Sequence, residues 1–308
     1  MSQFRDASHP AGDGHAGLPV PAHHHPGEDC EYRRFYALQP IVDRDRRPYG
    51  CEALFRAGWE DAFYGDPDYA SRIMVDNWLL YGFEEKTGAE TVFLNCTRDT
   101  LVSGILYLLP RTAVFEIVES VEPDPEVLAA CRSLKAAGYR IAVDDLESLD
   151  TQAPFIELAD AVKVDFRLAG WRDRMQFLER LKKKGVALIA EKIETEDEFQ
   201  QAVEEGFELF QGYHLGRPVF HSKAGDRLKT ATCLNLLEQL QMPGFRTEDF
   251  LELIEEHPGL ERRLLRLANW AAAPNLVFNS SREALAAVGR TPLYRAVTLA
   301  LTVAPAMA

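Results

Sequence analysis

Short apolar runs rich in β-forming residues alternate with helical patterns through the middle of the chain. Eight such runs occur, at residues 36–42, 49–56, 92–96, 113–119, 140–145, 161–165, 187–193 and 209–213. Asp124 and Pro125 begin one helix pattern that ends at Gly138. Thr195 and Glu198 form a capping-box pattern at the start of another. This alternation predicts an α/β protein whose mostly parallel sheet closes into a (β/α)8-type, TIM-like barrel.

The first two strand patterns are an exception to the parallel order. They are joined only by the segment DRDRRP at residues 43–48. A parallel connection needs a crossover of a dozen or more residues, whereas an antiparallel hairpin needs only a few. We therefore predict that the first strand is antiparallel to the second.

The two ends of the chain have different patterns. Residues 1–30 are rich in Gly, Pro, His and Ala and include His23–His25, so we expect a disordered tail, although a His cluster can also bind a transition metal. After residue 222 only helical patterns remain, with one leucine stripe at 234, 237 and 240 and another at 260, 264 and 267; Thr247, Ser281 and Thr291 are candidate N-caps. The predicted domains are a tail at 1–30, a barrel at 31–222 and an all-α domain at 223–308.

Composition and charge restrict the class of partner. The net charge of −14 argues against a nucleic-acid polymer or an anionic membrane as the main partner. No apolar run reaches the roughly 18 residues of a membrane-spanning helix, and the N-terminus has no apolar signal core. The five cysteines are scattered without a CxxC pair, which favours free thiols in the cytoplasm.

Polar side chains recur in or just after the predicted strands, where the strand ends of a barrel converge on one rim. They are Glu52, Asn95, Glu116, Asp144, Asp145, Lys163, Glu191, Glu194 and Gln211. Carboxylate and amide oxygens suit Mg²⁺ or Mn²⁺ better than zinc. Two ions sharing Asp144 would explain how the adjacent Asp144 and Asp145 both stay ionised. Each residue alone is more simply a helix cap, a loop hydrogen-bonder or a salt-bridge partner, but recurrence on seven strands favours a shared site.

The order of these motifs resembles a known family. The segments EALFR (52–56), FEIVES (115–120), the Asp pair (144–145), VKVD (162–165), AEKIE (190–194) and FQGYHLGRP (210–218) are similar to the EAL domain of bacterial cyclic di-GMP signalling over residues 36–220. The segment LIEEHPGLERRLLRLANWAAAP (253–274) resembles the start of an HDOD domain, and this part is short for that family.

The resemblance implies metal-dependent hydrolysis of cyclic di-GMP to linear pGpG and gives each position a role. The metal ligands would be Glu52, Asn95, Glu116 and Asp144 for one ion, and Asp144, Asp145 and Glu191 for a second. The catalytic group would be Glu191 as general base, with Lys163, Glu194 and Gln211 positioning water and the metal shell. The substrate contacts would be Gln39, Leu54, Arg56, Arg217 and Pro218. Glu119 would support the loop after Asp145. A homodimer through the barrel and a protein partner of the helical domain are the other implied partners.

The loop after the Asp pair departs from the family. Where DDFG(A/T)G is usual the chain reads DDLESL, so Leu146 replaces Phe, and Glu147 and Leu149 replace glycines. Val118 stands where Thr is usual, and Lys192 stands where Gly is usual. Two alternatives to hydrolysis therefore stay open. One is a cyclic di-GMP receptor without turnover, and the other is a protein-interaction scaffold that ignores the nucleotide.

Overall fold

The computed structural model describes residues 32–58, 65–83, 91–146, 148–225, 228–242, 247–273 and 276–303. The segment 1–30, for which the sequence predicts disorder, lies outside these residues, and so does Glu147. The described residues belong to a single compact unit, Tyr32–Ala308. The division at residue 222 into two domains stays a prediction.

The described part of the chain has nine strands. They are β1 (Arg33–Asp43), β2 (Pro48–Arg56), β3 (Thr91–Cys96), β4 (Ala113–Ile117), β5 (Arg140–Val143), β6 (Ala161–Asp165), β7 (Ala187–Glu191), β8 (Leu209–Phe210) and β9 (Val219–Ala224). The first eight correspond to the eight apolar runs. The sequence pattern does not reveal β9, which pairs only with β1 at the outside of the sheet and has no fully buried residue.

The first eight strands close into a barrel. β2 to β8 pair in chain order, each parallel to the next. β1 closes the ring by pairing antiparallel with both β2 and β8. In the short β1–β2 turn, Asp43 accepts hydrogen bonds from the backbone N–H groups of Asp45 and Arg47, both at 2.8 Å. The TIM-like barrel and its antiparallel first strand are therefore confirmed.

Helices connect the parallel strands. They are α1 (Pro67–Tyr81), α2 (Arg98–Ser103), α3 (Pro125–Ala136), α4 (Ala153–Ile156), α5 (Trp171–Lys182) and α6 (Glu196–Glu205). Thr195 and Glu198 form the expected capping box of α6, and Gly206 ends that helix with φ of 101°, which glycine adopts without strain. The local sequence signals for these helix ends are confirmed.

The N-cap of α3 allows a first test of the helix ends that the sequence predicts. The Asp124 side chain accepts hydrogen bonds from the backbone N–H groups of Glu126 and Val127, both at 2.9 Å. We expect Asp124→Ala to lower the free energy of unfolding by about 1 kcal/mol, because two N–H groups lose their acceptor. Urea denaturation checks this. The nearby exposed Glu122→Ala is the control and should change stability by less than about 0.5 kcal/mol; equal effects would contradict the cap assignment.

Among the described residues after β9 there are five more helices: α7 (Thr230–Gln241), α8 (Thr247–Glu255), α9 (Pro258–Ala271), α10 (Ser281–Val288) and α11 (Arg290–Thr302). The stripe of Leu260, Leu264 and Leu267 on α9 is buried as expected. The stripe expected on α7 is wrong in part, because Leu234 is 54% exposed while Cys233 and Leu236 are buried. The candidate caps Ser281 and Thr291 are also wrong: Ser280 caps α10, and Gly289 precedes α11.

These helices pack against the barrel through α1. Asp76 on α1 is fully buried and accepts hydrogen bonds from Arg263 on α9, Nε at 2.7 Å and Nη2 at 2.8 Å. Arg34 on β1 donates to the same carboxylate at 2.5 Å. Nearby, Arg266 Nε donates to the carbonyl oxygen of Leu79 at 3.1 Å. A buried carboxylate between two guanidinium groups thus ties α9 to the helix that follows β2.

Among the described residues, no helix combines the length and apolar character that a membrane crossing requires. The four cysteines in this part of the chain, Cys51, Cys96, Cys131 and Cys233, are all buried.

Candidate active site

The barrel interior has an apolar layer and, above it, a polar layer. Because side chains alternate along a strand, residues two apart on the same strand share the interior face. The apolar layer includes Phe93, Val114, Ala161 and Ile189. Two residues further along the same strands come Asn95, Glu116, Lys163 and Glu191. The carboxyl ends of β3, β4, β6 and β7 therefore bring the predicted polar residues together.

Lys163 lies at the centre of this polar layer with 1% of its surface exposed. Its Nζ is 2.7 Å from Glu116 Oε1, 2.7 Å from Glu191 Oε1 and 3.2 Å from Glu52 Oε2. Asp144 Oδ1 is slightly further away, at 3.7 Å. One ammonium group therefore faces four carboxylates.

The electrostatics show more negative charge than Lys163 alone neutralises. Burial raises the pKa of Asp144 to about 6 and that of Glu191 to about 8, although the Lys163 ammonium opposes both shifts. Burial likewise raises the pKa of Glu116 well above its usual value. Burial alone would lower the pKa of Lys163, but the surrounding carboxylates raise it. Such a site favours an additional cation.

Glu52 is held by three donors. Asn95 Nδ2 donates to its Oε1 at 2.8 Å, Gln211 Nε2 donates to its Oε2 at 2.7 Å, and Lys163 Nζ donates to the same oxygen at 3.2 Å. Burial acts to raise the pKa of Glu52, but Lys163 and the hydrogen bonds lower it below its usual value. The carboxylate is therefore fixed in orientation and ionised.

The adjacent aspartates form a second group at the end of β5. One carboxylate oxygen from each of Asp144, Asp145 and Glu191 lies within 4.8 Å of the others. The backbone N–H of Asp145 donates to Asp144 Oδ1 at 3.1 Å, and Asp145 has a φ of 37°. The turn at Asp145 thus directs its carboxylate away from the strand while keeping it near Asp144.

The donor set fits divalent cations that prefer oxygen. Among the described residues, the buried Asn95 Oδ1 and Glu116 Oε2 accept no hydrogen bond, although buried oxygens normally do. A metal ion would satisfy such atoms, and the cluster offers only carboxylate and amide oxygens, the ligands of Mg²⁺ and Mn²⁺. Such an ion, when bound, lowers the proton affinity of water and neutralises charge on a phosphoryl oxygen.

A cavity of about 770 Å³ opens over the polar layer, a volume that accommodates a small-molecule ligand. Its walls include the predicted residues Gln39, Glu52, Asp144, Asp145, Lys163, Glu191, Glu194 and Gln211. Gln39 Nε2 is 3.4 Å from the Gly216 carbonyl oxygen. Glu194 is paired with Arg167 at 2.5 Å. The predicted catalytic residues thus share one cavity.

A second cavity, of about 300 Å³, adjoins the first at the Glu52–Asn95 hydrogen bond. Leu54, Arg56, Asn95 and Glu119 are among its lining residues. The Arg56 Nη1 donates to the Phe55 carbonyl oxygen at 2.8 Å, and its guanidinium carbon lies 5.4 Å from the Phe220 ring centre. The two cavities thus lie on either side of the hydrogen-bonded Glu52–Asn95 pair.

Two predicted substrate residues line neither cavity. Arg217 is exposed and lies 5.2 Å from the Tyr213 ring centre, and Pro218 follows it just before β9. Tyr213 itself is 54% exposed and lines the larger cavity. Arg217 is therefore outside the cavity but lies beside Tyr213, a residue of its wall.

The sequence analysis did not predict Asp165 as a site residue. Asp165 and Lys192 both line the larger cavity. Asp165 is on the same face of β6 as Lys163 and two residues further on, so strand alternation was the signal that could have found it. Its Oδ2 is 2.7 Å from Lys192 Nζ. Partial burial acts to lower the pKa of Lys192, but Asp165 and Asp145 raise it, so Lys192 carries a charge.

The loop after Asp145 keeps its attachment to the barrel despite its unusual sequence. Leu146 is buried, and its backbone N–H donates to the Lys163 carbonyl oxygen at 2.9 Å. Leu149 is partly buried against the same core. Glu119 and Asp145 both line a third cavity, of about 210 Å³, beside this loop. The two leucines therefore pack into or against the barrel core.

Comparison with known proteins gives the family. Residues 99–218 match the EAL domain. The chain is 30% identical over 288 residues to the cyclic di-GMP phosphodiesterase CdgJ of Vibrio cholerae serotype O1, covering 91% of this chain and 67% of CdgJ. It is also 30% identical over 247 residues to the uncharacterised protein YuxH of Bacillus subtilis, covering 77% of this chain and 60% of YuxH. The chain belongs to the EAL domain family.

Solved structures agree with this assignment at the level of the fold. BlrP1 of Klebsiella pneumoniae, solved as a calcium and cy-diGMP complex, has a TM-score of 0.50 at 20% identity, over 67% of this chain and 61% of that protein. The EAL domain of Mycobacterium smegmatis DcpA also has a TM-score of 0.50 at 20% identity, over 61% of this chain and 93% of that domain. The barrel is an EAL barrel, and the chain spans about two thirds of CdgJ and three fifths of YuxH.

Proposed function

We propose that this chain hydrolyses cyclic di-GMP to linear pGpG in a reaction that depends on a divalent metal ion. The observation that carries this proposal is the polar layer at the strand ends, where four carboxylates surround Lys163 beneath a cavity of about 770 Å³. Membership of the EAL family and the likeness to CdgJ support the substrate. Mg²⁺ and Mn²⁺ are the ions we propose, because the donors are carboxylate and amide oxygens.

Each residue of the site would have its own role in the reaction. Glu52, Asn95, Glu116 and Asp144 would hold one ion, and Asp144, Asp145 and Glu191, whose oxygens lie within 4.8 Å of one another, would hold a second. Glu191 would accept a proton from the attacking water, whose oxygen bonds to phosphorus while one ester P–O bond breaks and the leaving ribose oxygen takes up a proton from solvent. Lys163 would keep the carboxylates oriented, and Gln211 would keep Glu52 in place through its 2.7 Å hydrogen bond. Glu194 would help to position the water, and Glu119 would support the loop after Asp145.

The ligand would lie across both cavities. Arg56 is placed to contact a phosphate, since a guanidinium binds phosphate oxygens with two parallel N–H groups. Gln39 and Leu54 line the walls where a guanine base would fit. Arg217 and Pro218 would contact the part of the ligand nearest the mouth.

A receptor without turnover is the second candidate, and one observation favours it. The Lys192 ammonium is 3.3 Å from Asp145 Oδ1, so one carboxylate of the second group already has a cationic partner. A receptor of this kind would bind cyclic di-GMP without hydrolysing it.

We further propose that the HDOD-like helices regulate the barrel or bind a protein partner. Their contact with α1 through Asp76 and Arg263 supports a coupling of the two parts. A homodimer through the barrel and action in the cytoplasm complete the proposal, the latter in keeping with the scattered cysteines.

Product analysis by chromatography tests the main proposal. The purified full chain is incubated with cyclic di-GMP and Mn²⁺, Mg²⁺ or excess chelator, and binding is measured in parallel by calorimetry. We expect pGpG with either metal ion and none with chelator. Binding without product after prolonged incubation with Mn²⁺ and excess protein would favour the receptor. Absence of both binding and product would favour the scaffold.

A further inference from the structure

Lys192 has an unusual backbone position beside the second carboxylate group. It follows Glu191 at the end of β7 and has a φ of 58°, in the left-handed region that residues other than glycine seldom adopt. Its side chain is half exposed, yet its Nζ is 2.7 Å from Asp165 Oδ2 and within 3.3 and 3.4 Å of the two Asp145 oxygens. The left-handed turn thus points a cation into the cavity.

The Asp165 carboxylate is positioned to bind the Lys192 ammonium. It is 7% exposed, and its Oδ1 accepts the backbone N–H groups of Arg167 and Leu168 at 2.9 and 3.0 Å. Only Oδ2 remains for a further partner, and Lys192 takes that position. Because β6 and β7 are neighbouring parallel strands, with Asp165 opposite Glu191, the ion pair spans the strand ends.

Asp145 belongs to two arrangements at once. One of its oxygens is within 4.8 Å of oxygens from Asp144 and Glu191, the group that could hold a divalent ion. The same carboxylate faces the Lys192 ammonium. A fixed positive charge at this edge reduces the attraction of the group for a mobile cation, and the half-exposed position of Lys192 reduces the effect by solvent screening.

We propose that the Lys192 ammonium is a tethered cation that competes with a divalent ion for the Asp144–Asp145–Glu191 group. The chain then binds a second divalent ion, at the Asp144–Asp145–Glu191 group, more weakly than it would without the Lys192 charge. This inference rests on the proposed metal site, but it concerns the number and affinity of bound ions rather than turnover. Lys192 is a positioning residue in this account.

The test is Mn²⁺ binding to the full chain without nucleotide, followed by electron paramagnetic resonance and calorimetry. Lys192→Ala removes the charge and keeps the backbone strain, whereas Lys192→Gly removes both. We expect both variants to bind a second Mn²⁺ roughly tenfold more tightly than the wild type, because a nearby repelling charge is gone. Lys192→Arg keeps the charge and should bind like the wild type.

Lys183→Ala is the matched control, since it removes one lysine charge from the surface of the neighbouring helix end, where Lys183 pairs with Glu179. It should leave Mn²⁺ binding unchanged. Thermal melting of every variant shows that the fold is retained. The proposal is overturned if the affinity of both Lys192→Ala and Lys192→Gly for the second Mn²⁺ stays within twofold of the wild type. It is also overturned if no variant binds Mn²⁺. Tighter binding by the glycine variant alone would overturn it as well. Tighter Mn²⁺ binding without cyclic di-GMP hydrolysis would contradict the proposed function alone.

Discussion

Glu52→Ala is expected to lower the rate of cyclic di-GMP hydrolysis by at least about a hundredfold, because even groups that only support a metal ligand are worth 10- to 100-fold. The substitution removes a carboxylate that accepts hydrogen bonds from Asn95, Lys163 and Gln211. It leaves Lys163 and Gln211 without their shared acceptor at the centre of the site. The measurement is the initial rate of pGpG formation at saturating Mn²⁺.

The control for Glu52 is an exposed glutamate of the same barrel. Glu179 lies on α5 and pairs with Lys183 at the surface. Glu179→Ala should leave the rate within about twofold, because an exposed pair of this kind stabilises the protein little. If Glu52→Ala retained more than a tenth of the wild-type rate, the assignment of Glu52 as a metal ligand would be wrong.

Arg263→Ala is expected to lower the free energy of unfolding by about 3–5 kcal/mol, the usual effect of removing one partner of a buried ion pair. Asp76 is fully buried and depends on Arg263 for two hydrogen bonds, at 2.7 and 2.8 Å. Trp78 and Trp270 stack edge to face beside this contact, with ring centres 6.4 Å apart. Tryptophan fluorescence in a urea titration therefore reports on the same region.

Arg262 provides the control on the same helix. It is exposed, so Arg262→Ala should change stability by less than about 0.5 kcal/mol. Equal losses for the two variants would mean that the ion pair does not hold α9 against α1. Hydrolysis rates of the two variants, measured below their unfolding range, show separately whether this contact influences the barrel site.

The Asp76 carboxylate also makes the stability of the protein depend on pH. Burial acts to raise the pKa of Asp76, but Arg263 and Arg34 lower it below its usual value. The stabilisation is therefore complete above the unfolded value of about 3.9 and is lost as the pH falls through the lower folded value. The stability difference between wild type and Asp76→Asn should stay constant from pH 7 to about pH 5 and shrink below about pH 4. A difference that shrinks above pH 5 instead would contradict this assignment.

The sequence predicts the barrel well because the signals for its strands, turns and helix ends are periodic or local. The short apolar runs of β4 and β6 place Glu116 and Lys163 on strands, and both residues are buried. The short β1–β2 link predicts the hairpin, and Asp124 predicts the start of α3. Each signal lies within a few residues of the feature that it predicts.

The features that the sequence does not predict depend on packing between distant segments. β9 is an edge strand with little buried surface, so it lacks an apolar period. Cys233 and Leu236 are buried among the C-terminal helices while Leu234 faces solvent, a one-residue rotation that depends on how these helices pack. Ser280 accepts the backbone N–H of Glu283 and caps α10, whereas the Ser281 side chain donates to Glu261 on α9. The Lys192–Asp165 pair forms because two strands lie side by side.

Hydrolysis in water enriched with heavy oxygen tests the central claim most directly. The wild-type chain is incubated with cyclic di-GMP and Mn²⁺, and the product is examined by mass spectrometry. We expect pGpG that carries one heavy oxygen atom in its terminal phosphate, formed with Mn²⁺ and absent with chelator. No pGpG with Mn²⁺, or equal amounts of pGpG with Mn²⁺ and with chelator, would contradict a metal-dependent phosphodiesterase site at the strand ends.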